Sequence, residues 1–127
     1  MSINWRQLSR HPDFAVTSSE ISVTFAEGRS QRVRVGDEND ATGLIRLWSV
    51  VVRSSALPTD EDPHLLAWQR NRASDLVGFK IDGRGRLIGE AWVPVAGLDA
   101  EEWAVYVRTV ARACDRLEYL LTGRDES

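Results

Sequence analysis

Glycines stand at 83, 85 and 89 within Asp82-Gly83-Arg84-Gly85-Arg86-Leu87-Ile88-Gly89. Glycines spaced this way among basic side chains could cradle a phosphate. A dinucleotide fingerprint, however, needs G-x-G-x-x-G opening a helix, so that the helix N-terminus meets the pyrophosphate. Ile88 occupies the place of the third glycine, and the residues that follow alternate as a strand. The Gly-Lys-Ser/Thr of a P-loop is missing as well. A calcium loop needs alternating acids, and Arg84 and Arg86 stand where those acids would be. The segment therefore reads as a tight turn between strands, for which Asp-Gly is a strong signal.

Histidine is the usual general base and metal ligand, but His11 and His64 lack any ligand spacing. No cofactor or metal is expected from them. Cys114 could serve as a nucleophile. Its helical phase instead places it on an apolar stripe, where a thiol behaves as a small hydrophobe. The carboxylates Asp60-Glu61-Asp62 and Asp99, Glu101, Glu102 precede or open helices. Negative charge is stabilised there by the helix dipole, which accounts for them without acid–base chemistry. No catalytic constellation emerges, and the reading is non-enzymatic.

Composition narrows the classes further. The chain has 127 residues, 43% apolar and 28% charged, which fits one soluble domain spanning 1–127. Its net charge of −3 argues against a dedicated nucleic-acid binder. Lys80 is the only lysine, and every other basic residue is arginine. A single cysteine precludes an intrachain disulfide. No segment reaches the roughly 20 apolar residues of a membrane span. The first residues carry no apolar run of signal-peptide length, so a cytoplasmic location and no membrane partner are expected.

The elements follow from periodicity. Trp5 to Leu8 predicts a short helix, capped by Ser2 or Asn4 and stopped by His11-Pro12. Residues 20–26 and 30–35 alternate around a glycine turn and predict a hairpin, with a polar loop over 37–43. Leu44 to Ser54 is a strand with Ile45, Leu47 and Val51 on one face and Leu44, Trp48, Val50 and Val52 on the other. Residues 57–62 break it. Asp62-Pro63 then caps a helix to about Ala73, with Leu65, Leu66, Trp68 and Ala73 as its buried side. Leu76 to Ile81 and Arg86 to Val95 are two more strands. Asp99 and Glu102 form a capping box for a long helix whose stripe is Trp103, Val107, Val110, Cys114, Leu117 and Leu121. Gly123 ends it, and 124–127 are expected to fray. The order α-β-β-β-α-β-β-α, with short connections, predicts an α+β fold: a five-stranded antiparallel sheet flanked by helices.

Two side-chain groups remain on that frame. Arg29, Arg32, Arg34, Arg46 and Arg53 lie on or beside neighbouring strands and could form a basic sheet face. Solvated cross-strand ion pairs account for most of them. The alternative is a small nucleic-acid-associated regulator using that face. Trp48 shares its face with Arg46, and Trp92 shares its face with Ile88, opposite the apolar set Leu87, Ala91 and Val93. Trp68 and Trp103 are expected in the core. An apolar patch on a wet face marks an interface, and Trp and Arg are enriched at hot spots. Arg46, Trp48, Ile88 and Trp92 are the candidate interface, unless the first helix folds Trp5 over it.

The stretches Leu76-Val77-Gly78-Phe79-Lys80-Ile81-Asp82, Gly85 to Gly89, Trp92-Val93-Pro94 and Gly97-Leu98 resemble the secretion-chaperone-like fold, as do Ala111, Cys114-Asp115-Arg116 and Glu118. This fold includes the type III secretion (Tir-type) chaperones and the YbjN-domain proteins. The resemblance implies a small, acidic, cytoplasmic homodimer that binds an extended segment of another protein, without catalysis. The first helix is shorter than in the secretion chaperones, so the YbjN branch is the nearer relative.

Overall fold

The computed structural model describes residues 4–39, 42–53, 56 and 62–123. Helix α1 (Trp5–Leu8) is followed by strands β1 (Phe14–Val16), β2 (Glu20–Thr24), β3 (Ser30–Asn39) and β4 (Leu44–Val52). Helix α2 (Pro63–Ala73), strands β5 (Gly78–Ile81) and β6 (Leu87–Pro94) and helix α3 (Ala100–Thr122) complete the chain. All strand pairs are antiparallel, in the order β1-β2-β3-β4-β6-β5. The α+β class is as expected, but the sheet has six strands rather than five. The added strand is β1, whose three residues pair with Ile21 to Val23. Alternation over so short a run carries no period to read.

β3 also runs to Asn39, where a loop from Asp37 was expected. A register shift between Val35 and Glu38 lets the polar end of the strand keep pairing with β4. The expected break over 57–61, the Ser2 cap and the tail at 124–127 lie outside the described residues.

The predicted caps are in place. Asn4 accepts from the Gln7 N–H at 3.4 Å. Asp62 accepts from the N–H groups of His64 and Leu65 at 3.0 and 3.4 Å, and Asp99 from that of Glu102 at 2.8 Å. Gly123 closes α3 at φ 68°, a left-handed conformation that suits glycine.

The core lies between one sheet face and α3. Ile21, Val23, Val33, Leu47, Val51 and Val93 meet the α3 stripe Trp103, Val107, Val110, Cys114 and Leu117, all at most 2% exposed. α2 departs from expectation. Only Ala67 is buried, while Leu65 and Trp68 are 51% and 56% exposed. The helix is held instead through Asn71, whose side chain donates to the Phe79 carbonyl at 2.9 Å and accepts from the Phe79 N–H at 2.6 Å. Leu66 is partly buried against the core, while Leu65 and Trp68 stay outside.

The segment 82–86 is a turn joining β5 to β6. The Asp82 carboxylate accepts from the backbone N–H groups of Arg84 and Arg86, both at 2.9 Å, and from Arg86 Nε at 2.8 Å. Gly85, at φ 75°, supplies the left-handed residue that closes it.

Candidate functional site

The opposite face of the sheet is the candidate site. Buried residues of α2 and α3, among them Ala67, Trp103 and Val110, belong to the inner cluster, and the partly buried Trp5 and Leu8 of α1 pack against it. Trp5 is therefore on the α3 side and does not cover Trp48 or Trp92. Register alone builds the outer face. Arg34 stands opposite Trp48, Trp48 opposite Glu90, Arg46 opposite Trp92, and Val50 opposite Ile88.

Trp48 is the centre of the arrangement. The guanidiniums of Arg34, Arg46 and Arg86 lie 5.2, 5.0 and 5.5 Å from its ring. Such contacts contribute about 0.5–1 kcal/mol each at an exposed site. Carboxylates offset the crowding of like charges. Glu90 meets Arg46 at 2.5 Å and Lys80 at 2.9 Å, Asp82 meets Arg86 at 2.7 Å, and Glu20 lies 3.8 Å from Arg34. Trp92 is 47% exposed beside this cluster.

Three of the four predicted interface residues share this surface. Ile88 does not: it is 1% exposed, flanked in register by Val50 and Lys80. It is buried, yet stands apart from the inner core cluster. Val52, expected beside Trp48, instead joins the core, because the register shifts between Val50 and Val52. Trp68 is exposed rather than buried.

The family model for YbjN, described as "Putative bacterial sensory transduction regulator", matches residues 5–119. The chain belongs to the YbjN family. The crystal structure of the ExsC–ExsE complex has a similar fold, with TM-score 0.61 and 16% identity over 96% of this chain and 98% of that one. The structure of the HopA1–SchA chaperone–effector complex aligns with TM-score 0.40 and 12% identity over 83% and 84%. No curated protein matches the chain.

In this YbjN-family chain the arginines divide between two roles. Arg32, Arg34, Arg46 and Arg53 belong to the outer face, as expected. Arg29 does not. Its Nε and Nη2 donate to Asp115 Oδ2 at 3.0 and 2.8 Å, and it lies over the Tyr119 ring at 4.6 Å. That pair ties the β2–β3 turn to α3 across 86 residues of sequence. The only early hint was that Asp115 follows Cys114 on the helix, next to the apolar stripe. Cys114 is a core residue, and burial pushes its thiol up to about 12. The histidines act locally: His11 Nδ1 accepts from the Asp13 N–H at 3.1 Å, and its ring stacks on Phe14. No helix among the described residues is long and apolar enough to cross a membrane.

The electrostatics of Glu90 give a direct test. Partial burial raises its pKa, but hydrogen bonds and charge from Lys80 and Arg46 outweigh this and hold it below the ordinary carboxylate value of 4.5. A depressed folded pKa contributes stability above the unfolded value, and that contribution is lost as pH falls through the folded one. Glu90→Gln is expected to cost on the order of 1 kcal/mol at neutral pH. Urea unfolding at a series of pH values should show the gap between the two proteins complete above about pH 5 and closing in stronger acid. A gap independent of pH would mean that Glu90 acts by shape rather than charge.

Proposed function

We propose that this chain is a non-enzymatic, chaperone-like binding module. It holds an extended segment of a partner protein on the outer sheet face and works as a homodimer. The observation that carries the reading is Trp92, exposed beside a Trp48 ringed by three guanidiniums, on the sheet face opposite the α3 core. An exposed indole and a partly buried one among arginines match the composition of protein-binding hot spots. The ExsC–ExsE structure with this fold is itself a complex, which supports a protein partner. Leu65 and Trp68 leave apolar surface on α2, which supports self-association.

An array of short unstructured peptides, probed with wild type and with Trp92→Ala, tests the reading. Wild type should retain a subset of peptides, and the variant should retain them at least about tenfold more weakly, as for a hot-spot tryptophan. Its stability should move by less than about 0.5 kcal/mol, because the side chain is half outside. Equal retention by both proteins would remove the site. Light scattering at micromolar concentration should give twice the 14.3 kDa chain mass. A monomer throughout would remove the dimer.

A further inference from the structure

We infer that the outer face selects an acidic partner segment, binding its carboxylates at one end and an apolar residue at the other. This rests on the protein-binding reading above and names the chemistry of the partner. The basic end is a depression around Val50, lined among the described residues by Arg32, Arg34, Arg53, Arg86 and one acid, Glu20. Arg86 is engaged by Asp82 at 2.7 Å, and Arg34 stands 3.8 Å from Glu20. Arg32 and Arg53 are exposed and have no carboxylate partner among the described residues.

The surplus is local. Among the described residues, the six outer-face cations Arg32, Arg34, Arg46, Arg53, Lys80 and Arg86 face three carboxylates, Glu20, Asp82 and Glu90, in a chain whose net charge is −3. All three carboxylates are already within ion-pair distance of a cation, so the free capacity is cationic. A guanidinium fork matches a carboxylate in two parallel hydrogen bonds. Clustered like charges raise the local potential and draw an anion in.

The other end of the face has a different character. Trp92 sits opposite Arg46, four residues along β4 from Val50, or about 13 Å at strand rise. The face is thus polarised, with free guanidiniums around Val50 and an exposed indole one short extended segment away. Glu20 and Glu90 interrupt the positive surface and repel a continuous polyanion. Separate carboxylates on a peptide can pass between them. These features favour an acidic peptide over a nucleic acid.

The test uses fluorescence anisotropy with the full chain at low salt. The probe is a labelled decapeptide with two adjacent aspartates and, four positions on, two leucines. Comparison probes carry asparagine for aspartate, or are single-stranded DNA of matching length. The aspartate peptide should bind about tenfold more tightly than the asparagine peptide, as expected for charge-assisted pairing. Arg32→Ser with Arg53→Ser should abolish that preference without changing the melting temperature, since both side chains are exposed. Trp92→Ala should weaken both peptides alike.

Equal affinity for the two peptides would overturn carboxylate selection and leave protein binding standing. Binding of neither would overturn both. Tighter binding of the DNA would assign the face to nucleic acid instead. Should the double variant melt early, the wild-type preference and its loss at high salt still decide the question.

Discussion

Gly89→Val is expected to leave the protein largely unfolded at room temperature. Gly89 lies on β6 where the sheet meets α3. A Cβ built there would stand 2.5 Å from Cys114 Sγ and 3.1 Å from both Phe79 Cε1 and Val77 Cγ1. Ordinary contacts between such atoms lie near 3.5–4.0 Å. The sulfur belongs to a fully buried residue in the middle of the α3 stripe, so it cannot swing aside. Relief requires α3 to lift from the sheet. Gly89→Ala should cost about 2–3 kcal/mol by overpacking, and the two further methyls of valine more. Cys114→Ala removes the closest atom and should restore over half of what Gly89→Ala loses. Such coupling is expected of residues in contact and is read from denaturant unfolding of the four proteins. Strictly additive losses would mean that the glycine serves the strand and not the helix contact.

Gly89 also illustrates what sequence can and cannot disclose. The strand was legible because Leu87, Ala91 and Val93 alternate, and their face is buried as that pattern requires. That the glycine among them makes room for a sulfur 25 positions later was not, because close approach between distant segments leaves no local trace. The same division runs through the molecule. The α3 stripe, the two helix N-caps of α2 and α3 and the turn at 82–86 follow from nearest-neighbour chemistry and were readable. The burial of α2 was readable only in part: Leu66 packs on the core, but Leu65 and Trp68 have helical spacing too and lie outside, while Asn71 clasps the helix to β5.

The site divides in the same way. Alternation placed Arg46, Trp48 and Trp92 on the outer face. It placed Ile88 there too, correctly as to side but without its depth, because burial on an open face depends on which neighbours lean over it. The depression around Val50 was only half visible. Arg32, Arg34 and Arg53 could be assigned to adjacent strands, whereas Arg86 enters from the far side of the turn through pairing of β4 with β6. Arg29 was misassigned because its partner, Asp115, arrives from the other end of the chain.

Trp103→Ala is expected to be the most damaging truncation in the core, at about 3–5 kcal/mol. Total stability of a domain this size is about 5–15 kcal/mol, so the variant should be marginal or unfolded in urea titrations. Trp103 is 0% exposed and packs in the first turns of α3. It also has a polar task. Its Nε1–H donates to Ser9 Oγ at 2.8 Å, and Ser9 donates in turn to the Trp5 carbonyl at 2.6 Å. That chain of two hydrogen bonds fastens the single turn of α1, which has no buried residue of its own. Trp103→Phe separates the tasks. It fills most of the volume but removes the donor, and should cost about 1 kcal/mol or somewhat more. Hydrogen exchange should then quicken over residues 5–9 while the sheet stays protected, because α1 would open locally. Since α1 docks on the α3 side, peptide retention by Trp103→Phe should equal that of wild type. A folded Trp103→Phe protein that lost its peptides would make α1 part of the binding surface and move the site away from Trp48 and Trp92.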